Sequence, residues 1–175
     1  MTTWIIDAMH SEIGFKVKHL VISTVSGKFK NFEGTIEAEG DDFNNAKVSF
    51  SADIDSIDTN VADRDAHLKS PDFFDAANHP KLIFESTGFT NKGGSDYVLE
   101  GNMTIKGVTK PVTLNVEHGG TGPNAYGQTV AGFELKGKIN RKDFGLNWSA
   151  VTEAGGIVVS DDVKLVMDVE VVKQA

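Results

Sequence analysis

The chain has 175 residues, enough for one domain burying roughly 70% of its unfolded surface, and 39% hydrophobic with 24% charged content argues against disorder. Lys and Arg number 17 against 25 Asp and Glu, a net charge of −8 with no basic stripe, which disfavours nucleic acid as a partner. The absence of cysteine excludes disulfides, thiolate nucleophiles and Cys-ligated zinc or iron–sulfur sites, and no apolar run approaches the ~20 residues of a membrane helix.

The opening MTTWIIDAMHSEIGF has no basic segment, apolar stretch or small-residue cleavage site, so no secretory signal is read there. As written the chain is expected in the cytoplasm, and in the periplasm if the numbering is that of a processed chain. From Glu12 to His19, Ile13, Phe15, Val17 and His19 share one face opposite Glu12, Lys16 and Lys18. This period of two marks a half-buried strand. Gly27 to Glu39 begins in odd register at Gly27 and Phe29 and continues in even register at Phe32, Gly34, Ile36 and Ala38. A one-residue slip near Lys30 or Asn31 is what a β-bulge produces.

Ala46 to Ile54 alternates again through Val48, Phe50 and Ala52. Thr59 to Pro80 then interrupts the pattern. Asn60 is expected to cap a short helix through His67 and Leu68, and Ser70-Pro71 to supply a second cap with Pro at the first helical position, together a helical insertion at about 60–79 closing one end. Lys81–Phe89 and Asp96–Lys106 form the next two strands, joined at Gly93-Gly94. Pro111–Glu117 is the sixth, and Gly119–Gly127 reads as a loop from its glycines and proline. Thr129–Asn140 and Asp161–Val172 complete eight strands, with one helical turn expected within Asp143–Trp148.

Eight antiparallel strands of this length can stack as a sandwich or curl into a barrel without edges. The bulge and the inward glycines Gly34, Gly101 and Gly137 are devices that curve a sheet, which favours an all-β, eight-stranded antiparallel barrel as a single domain over 1–175. Such a barrel is just wide enough to be filled by side chains or to hold one small ligand, and spacing alone leaves both open. A ten-residue strand spans ~33 Å, or about 25 Å along the axis at a tilt of about 40°, which suits a long thin apolar guest.

Catalytic and metal signatures are absent. The histidines His10, His19, His67, His79 and His118 form no H-x-x-x-H or H-x-E pair, and no G-x-S-x-G elbow or phosphate-binding glycine loop occurs. No metal, catalytic residue or cofactor is therefore expected. Arg64-Asp65-x-His67 and Arg141-x-Asp143 each place a cation beside an anion where the sheet is interrupted, as end caps or as contacts to a ligand head group. Ser70-Pro71-Asp72-Phe73-Phe74 reads as a plug placing two aromatic rings under the lumen.

Trp4-Ile5-Ile6-Asp7 with His10-Ser11, Gly27-x-Phe29-x-x-Phe32-x-Gly34, Arg64-Asp65-x-His67-Leu68 and Ser70-x-Asp72-Phe73-Phe74 occur in order. They are followed by Gly101-x-Met103-Thr104-Ile105-x-Gly107-x-Thr109-x-Pro111-Val112, Arg141-x-Asp143-Phe144-Gly145 and Val159-Ser160-Asp161-Asp162. Over essentially the whole chain these motifs resemble the YceI-like, lipocalin-like proteins described as polyisoprenoid-binding. The resemblance implies an extended barrel holding a long isoprenoid or related amphipathic lipid, and a homodimer.

The expected function is accordingly non-enzymatic transport or sequestration of a polyprenyl or quinone-like chain. The expected wall is Phe15, Val17, Phe32, Phe50, Phe84, Leu99, Phe133, Leu135, Leu165 and Met167, with His19 as the polar contact inside. Arg64, Asp65, His67, Phe73, Phe74, Arg141 and Asp143 are the expected end-cap or head-group residues. Two alternatives stand beside this: an enzyme acting on a small amphipathic substrate at the mouth with His19 or His67 as base, and a stress-response interaction protein with a packed interior.

Overall fold

The computed structural model describes residues 1–19, 23–147 and 159–175. β1 (Thr2–Ile6) and β2 (Glu12–His19) are halves of one strand, parted by a 3-10 turn at Ala8–His10. β3 (Ser23–Phe29) and β4 (Phe32–Glu39) are likewise halves of the next, parted at Lys30–Asn31, where the slip in alternation falls. The backbone freed by that break is paired elsewhere: Lys30 N–H donates to the Ser56 carbonyl at 3.1 Å, and Asp53 N–H to the Asn31 carbonyl at 2.9 Å.

There follow β5 (Asp42–Asp53), the short β6 (Ile57–Asp58), α1 (Ala62–Lys69), β7 (Lys81–Gly93), β8 (Asp96–Ile105), β9 (Val108–Pro123), β10 (Thr129–Asn140) and β11 (Val159–Lys173). β1, β4, β5, β7, β8, β9, β10 and β11 pair in that order, and β11 returns to β1 with Ile5 opposite Val172. The result is a closed, eight-stranded antiparallel barrel, and closure removes the unpaired edges an open sheet would expose. β2 extends the β1 position along β11, with Phe15 opposite Leu165, and pairs with β3, with Phe15 opposite Gly27.

The up-and-down order brings the end of β2, the start of β3, the end of β10, the start of β11 and the β5–β7 and β8–β9 connections to one end. α1 lies in the β5–β7 connection, and the turn that follows it is tied across that end by Lys106 Nζ, which donates to the Pro71 carbonyl at 2.9 Å. The opposite end is solid. Trp4 and Phe43 are fully buried there with ring centroids 5.0 Å apart, and Phe133 stacks on the His118 imidazole at 4.8 Å. Phe89 stacks on Tyr97 beside them at 4.9 Å. Offset and edge-on ring pairs of this kind contribute about 0.5–1.5 kcal/mol each beyond the burial of their area. The interior is thus both of the alternatives left open by spacing, packed at one end and hollow at the other.

Several expectations are corrected. β1 adds a strand segment not counted from the pattern. Gly119–Gly127 is not all loop: β9 runs to Pro123, opposite Thr129, and a bulge beside Gly132 absorbs one residue. Asn60 does not cap α1. It takes a left-handed φ of 68°, and Val61 stands at the N-cap without a side-chain bond. Residues after Ser70 form successive turns rather than a second helix, because Ser70 ends α1, its N–H and Oγ–H both donating to the His67 carbonyl. The helical turn expected within Asp143–Trp148 begins earlier, as a 3-10 turn at Arg141–Phe144 closed by Gly145 at φ 77°, and Trp148 lies outside the described residues.

Candidate ligand site: an apolar lumen with a polar mouth

The hollow half encloses a cavity of about 340 Å³, within the range of ordinary small-ligand sites. Phe15, Val17, Phe50, Phe84 and Leu99 line it, as do Phe133, Leu135, Leu165 and Met167. Each stands on the inward register of its strand, so alternation alone delivers an almost wholly hydrocarbon wall. Phe133 and Phe89 form its floor, where it meets the solid end.

Phe32 is a correction. It is half-buried with its ring 6.2 Å from Phe50, and lines a separate shallow recess with Ala8, Asn31 and Lys81. The break at Lys30–Asn31 moves the start of β4 out of the row that continues through Phe29. The backbone of His19 pairs with Val159, while its side chain lies outside the described residues.

Among the described residues, polar side chains border the cavity only near the α1 end: Lys18, Thr59, Arg64, His67 and Arg141. No Asp or Glu is among the described lining residues, in a chain whose net charge is −8. Arg64 and Asp65 do not pair directly. They converge on Thr59, which is 2% exposed. Arg64 Nε donates to Thr59 Oγ1 at 2.8 Å and Nη2 to the Thr59 carbonyl at 2.6 Å. Asp65 Oδ1 accepts from the Thr59 N–H at 2.8 Å and from its hydroxyl at 2.5 Å. Asp65 therefore stands behind the mouth as the group that fixes Thr59, and Thr59 fixes the Arg64 fork.

His67 Nε2 lies 2.9 Å from Asp72 Oδ2, and its ring meets Phe73 edge-on at 5.1 Å. Phe74 sits edge-on to Phe29 at 6.3 Å. Phe73 and Phe74 both line the cavity, so the turns after α1 close it with aromatic surface.

Arg141 is 3% exposed and acts as a clasp across the β10–β11 connection. Its Nε donates to the Ser160 carbonyl at 2.9 Å, Nη1 to the Leu146 carbonyl at 2.6 Å and Nη2 to the Val159 carbonyl at 3.4 Å. Burial pushes its pKa below the ordinary arginine value, and Asp161 opposes that shift. The anion beside it is Asp161, 3.8 Å away, and not Asp143, which is exposed. A planar guanidinium is the side chain that can serve several carbonyls from one centre.

Sequence reasoning placed Phe29 on the inward register but counted neither it nor Thr59 nor Phe89 among the site residues, although all three line the cavity. Phe89 leaves the even register of Leu82 and Phe84 because a bulge lies between Ser86 and Gly88, so alternation alone sets it on the outer face.

A closed barrel that is solid at one end and hollow and hydrocarbon-lined at the other is a lipocalin-like barrel. The chain belongs to the YceI family, whose YceI-like domain matches residues 4–171. It is 38% identical over 168 residues to Protein YceI of Salmonella newport, covering 96% of this chain and 84% of that one. It is similar to the crystal structure of the Campylobacter jejuni YCEI protein, with a TM-score of 0.77 at 33% identity over 90% of each chain. The same fold occurs in Burkholderia cenocepacia BcnA, with a TM-score of 0.82 at 22% identity over 94% of this chain and 98% of that one. It occurs again in a Saccharophagus degradans domain described as polyisoprenoid-binding, with a TM-score of 0.68 at 16% identity over 98% of each chain. Among the described residues, no helix is long and apolar enough to cross a membrane.

Proposed function

We propose that this protein binds one long-chain isoprenoid lipid in the barrel lumen, to carry or sequester it without chemical change. The chain lies toward Phe133 and the head group stays at the mouth beside Arg64. The cavity carries this reading. At about 24 cal/mol per Å³ of residual void, 340 Å³ left dry would cost about 8 kcal/mol, comparable to the whole stability of a small domain. Water fills such a space poorly because its wall offers few hydrogen-bond partners. A hydrocarbon guest fills it at a gain of about 0.8 kcal/mol per buried methylene, before the cost of ordering the chain.

The charged groups around the lumen support a guest whose head accepts hydrogen bonds. Arg64 uses Nε and Nη2 on Thr59, which leaves Nη1 for a ligand atom at the mouth. The polyisoprenoid-binding description of the Saccharophagus degradans domain supports the same class of guest. The test is Leu165→Asp, which sets a carboxylate against the chain at a half-buried wall position. The folded variant is expected to purify without the lipid found in the wild type, and an unchanged lipid content would contradict the proposal.

A further inference from the structure

Among the described residues four strand glycines, Gly27, Gly34, Gly101 and Gly137, face inward, and at two of them the missing Cβ is replaced by the ring of a lumen phenylalanine. Gly27 is the clearest. It lies opposite Phe15 across β2 and β3, and a Cβ built there would run into Phe15 Cζ and stand 2.9 Å from Cε1 and Cε2. The three nearest atoms all belong to that one ring, so the obstacle is the far end of a side chain and not backbone. Gly101 has the same relation to the Phe84 ring, with the Glu85 carbonyl also 2.5 Å away, whereas a Cβ at Gly34 meets Ile6 Cδ1 first, at 2.6 Å, and Phe50 Cδ2 only at 3.3 Å. None of the three has a positive φ, so their backbones would accept any residue. A glycine inside a strand is less favourable than alanine because it loses more conformational entropy, and these positions exchange that for room.

The room decides how wide the lumen is. Phe15 lines the cavity and is flanked by Phe29, ring centroids 5.8 Å apart and Phe29 itself 6% exposed. With its ring laid over Gly27, Phe15 lies flat along the wall. Any side chain at position 27 must push the ring off, and the space open to it is the lumen. A shift of one methyl diameter matters because a straight alkyl chain and an isoprenoid chain differ by the methyl groups that branch from the isoprenoid backbone.

We propose that Gly27 is a specificity-determining residue: by letting Phe15 lie against β3 it gives the lumen the width that admits a methyl-branched chain, with Gly101 under Phe84 as the second such pair. This rests on the lipid-binding reading above, and concerns which chain is accepted.

The test uses phytanic and palmitic acids, which share a sixteen-carbon backbone and a carboxylate and differ in four methyl branches. Each is titrated into delipidated full-length protein by displacement of a fluorescent fatty acid. Gly27→Ala is expected to weaken phytanic acid at least tenfold and palmitic acid less than threefold. Adding Phe15→Leu to Gly27→Ala, which removes the colliding end of the ring, is expected to restore phytanic acid to within threefold of the wild type. Phe15→Leu alone, which tests the same axis should Gly27→Ala fail to fold, is expected to raise the phytanic-to-palmitic affinity ratio. Unchanged phytanic acid affinity in folded Gly27→Ala, equal loss of both acids, or an unchanged ratio in Phe15→Leu overturns the assignment. A wild type that binds neither acid overturns the lipid-binding reading instead.

Discussion

Phe43 meets Phe133 edge-on, with ring centroids 5.0 Å apart at 88°, and this contact divides the solid half of the barrel from the hollow half. Phe43 is wholly buried in the packed end, whereas Phe133 is also part of the cavity wall. Phe133→Ala should deepen the lumen and cost about 3–5 kcal/mol of stability. Urea unfolding should show that loss in the ligand-free protein, and a long-chain guest should recover part of it. Equal destabilisation with and without guest would mean that the lumen does not end at Phe133.

Arg64 is the group placed to hold a head. Its Nε and Nη2 are oriented by Thr59, so the remaining edge of the guanidinium is fixed at the mouth. A hydrogen bond to a charged partner contributes about 1.5–3 kcal/mol. Arg64→Ala should therefore weaken palmitic acid by at least tenfold while changing hexadecanol affinity less than threefold. Equal effects on acid and alcohol, read by calorimetry, would show that Arg64 acts on the chain and not on the head.

Arg141 joins residues that are far apart in sequence, with its Nε, Nη1 and Nη2 on the carbonyls of Ser160, Leu146 and Val159. Arg141→Met preserves bulk and removes every donor, leaving carbonyls unpaired and Asp161 without its buried cation. The expected loss is about 3–5 kcal/mol. Arg141→Lys should recover little of it, because one ammonium cannot reach the same set of carbonyls. A denaturation midpoint within error of the wild type for either variant would contradict the clasp.

His10 and Asp7 titrate against each other. The hydrogen bond that His10 donates to the Asp7 carboxylate, 2.7 Å away, raises the His10 pKa above its ordinary 6.5, with the charges of Asp7 and Glu170 adding to the rise. The same bond is the main cause lowering Asp7 below its ordinary 3.8. The histidine contribution is complete below pH 6.5 and is lost as pH rises through the elevated folded value. The aspartate contribution is complete above pH 3.8 and is lost as pH falls through the depressed one. The melting-temperature difference between wild type and His10→Ala should thus be greatest between those two ordinary values and shrink on both sides. A difference independent of pH would contradict the pairing.

The barrel was legible in the sequence wherever alternation ran unbroken, as in β8, β10 and β11, because a closed sheet with one apolar face repeats every second residue. It was hidden where the parity changed. Phe43 sits among Asp42, Asn44 and Asn45, and Asn45 takes a left-handed φ of 65° just before the even run from Ala46 begins. That local kink hid one of the most buried side chains in the molecule. Gly119 to Pro123 were unreadable as strand for a related reason: glycine and proline suppress the signal, while pairing to β10 sustains the strand.

The site was legible in its walls and illegible in its mouth. Phe15, Phe84 and Leu165 follow from register alone. The partners of the two arginines do not, because adjacency suggests Asp65 and Asp143, whereas folding brings Arg64 to Thr59 and Arg141 to carbonyls and Asp161. The openness of the lumen is equally invisible to periodicity. It depends on rings lying over glycines of the neighbouring strand, which only the cross-strand register reveals.

The occupancy of the lumen is read most directly by native mass spectrometry of the full chain as purified, followed by organic extraction of the same sample. The account predicts a mass above that of the polypeptide by one isoprenoid lipid per chain, released on denaturation and recovered in the organic phase. A protein whose native and denatured masses agree, and which still excludes added long-chain lipid, would contradict it.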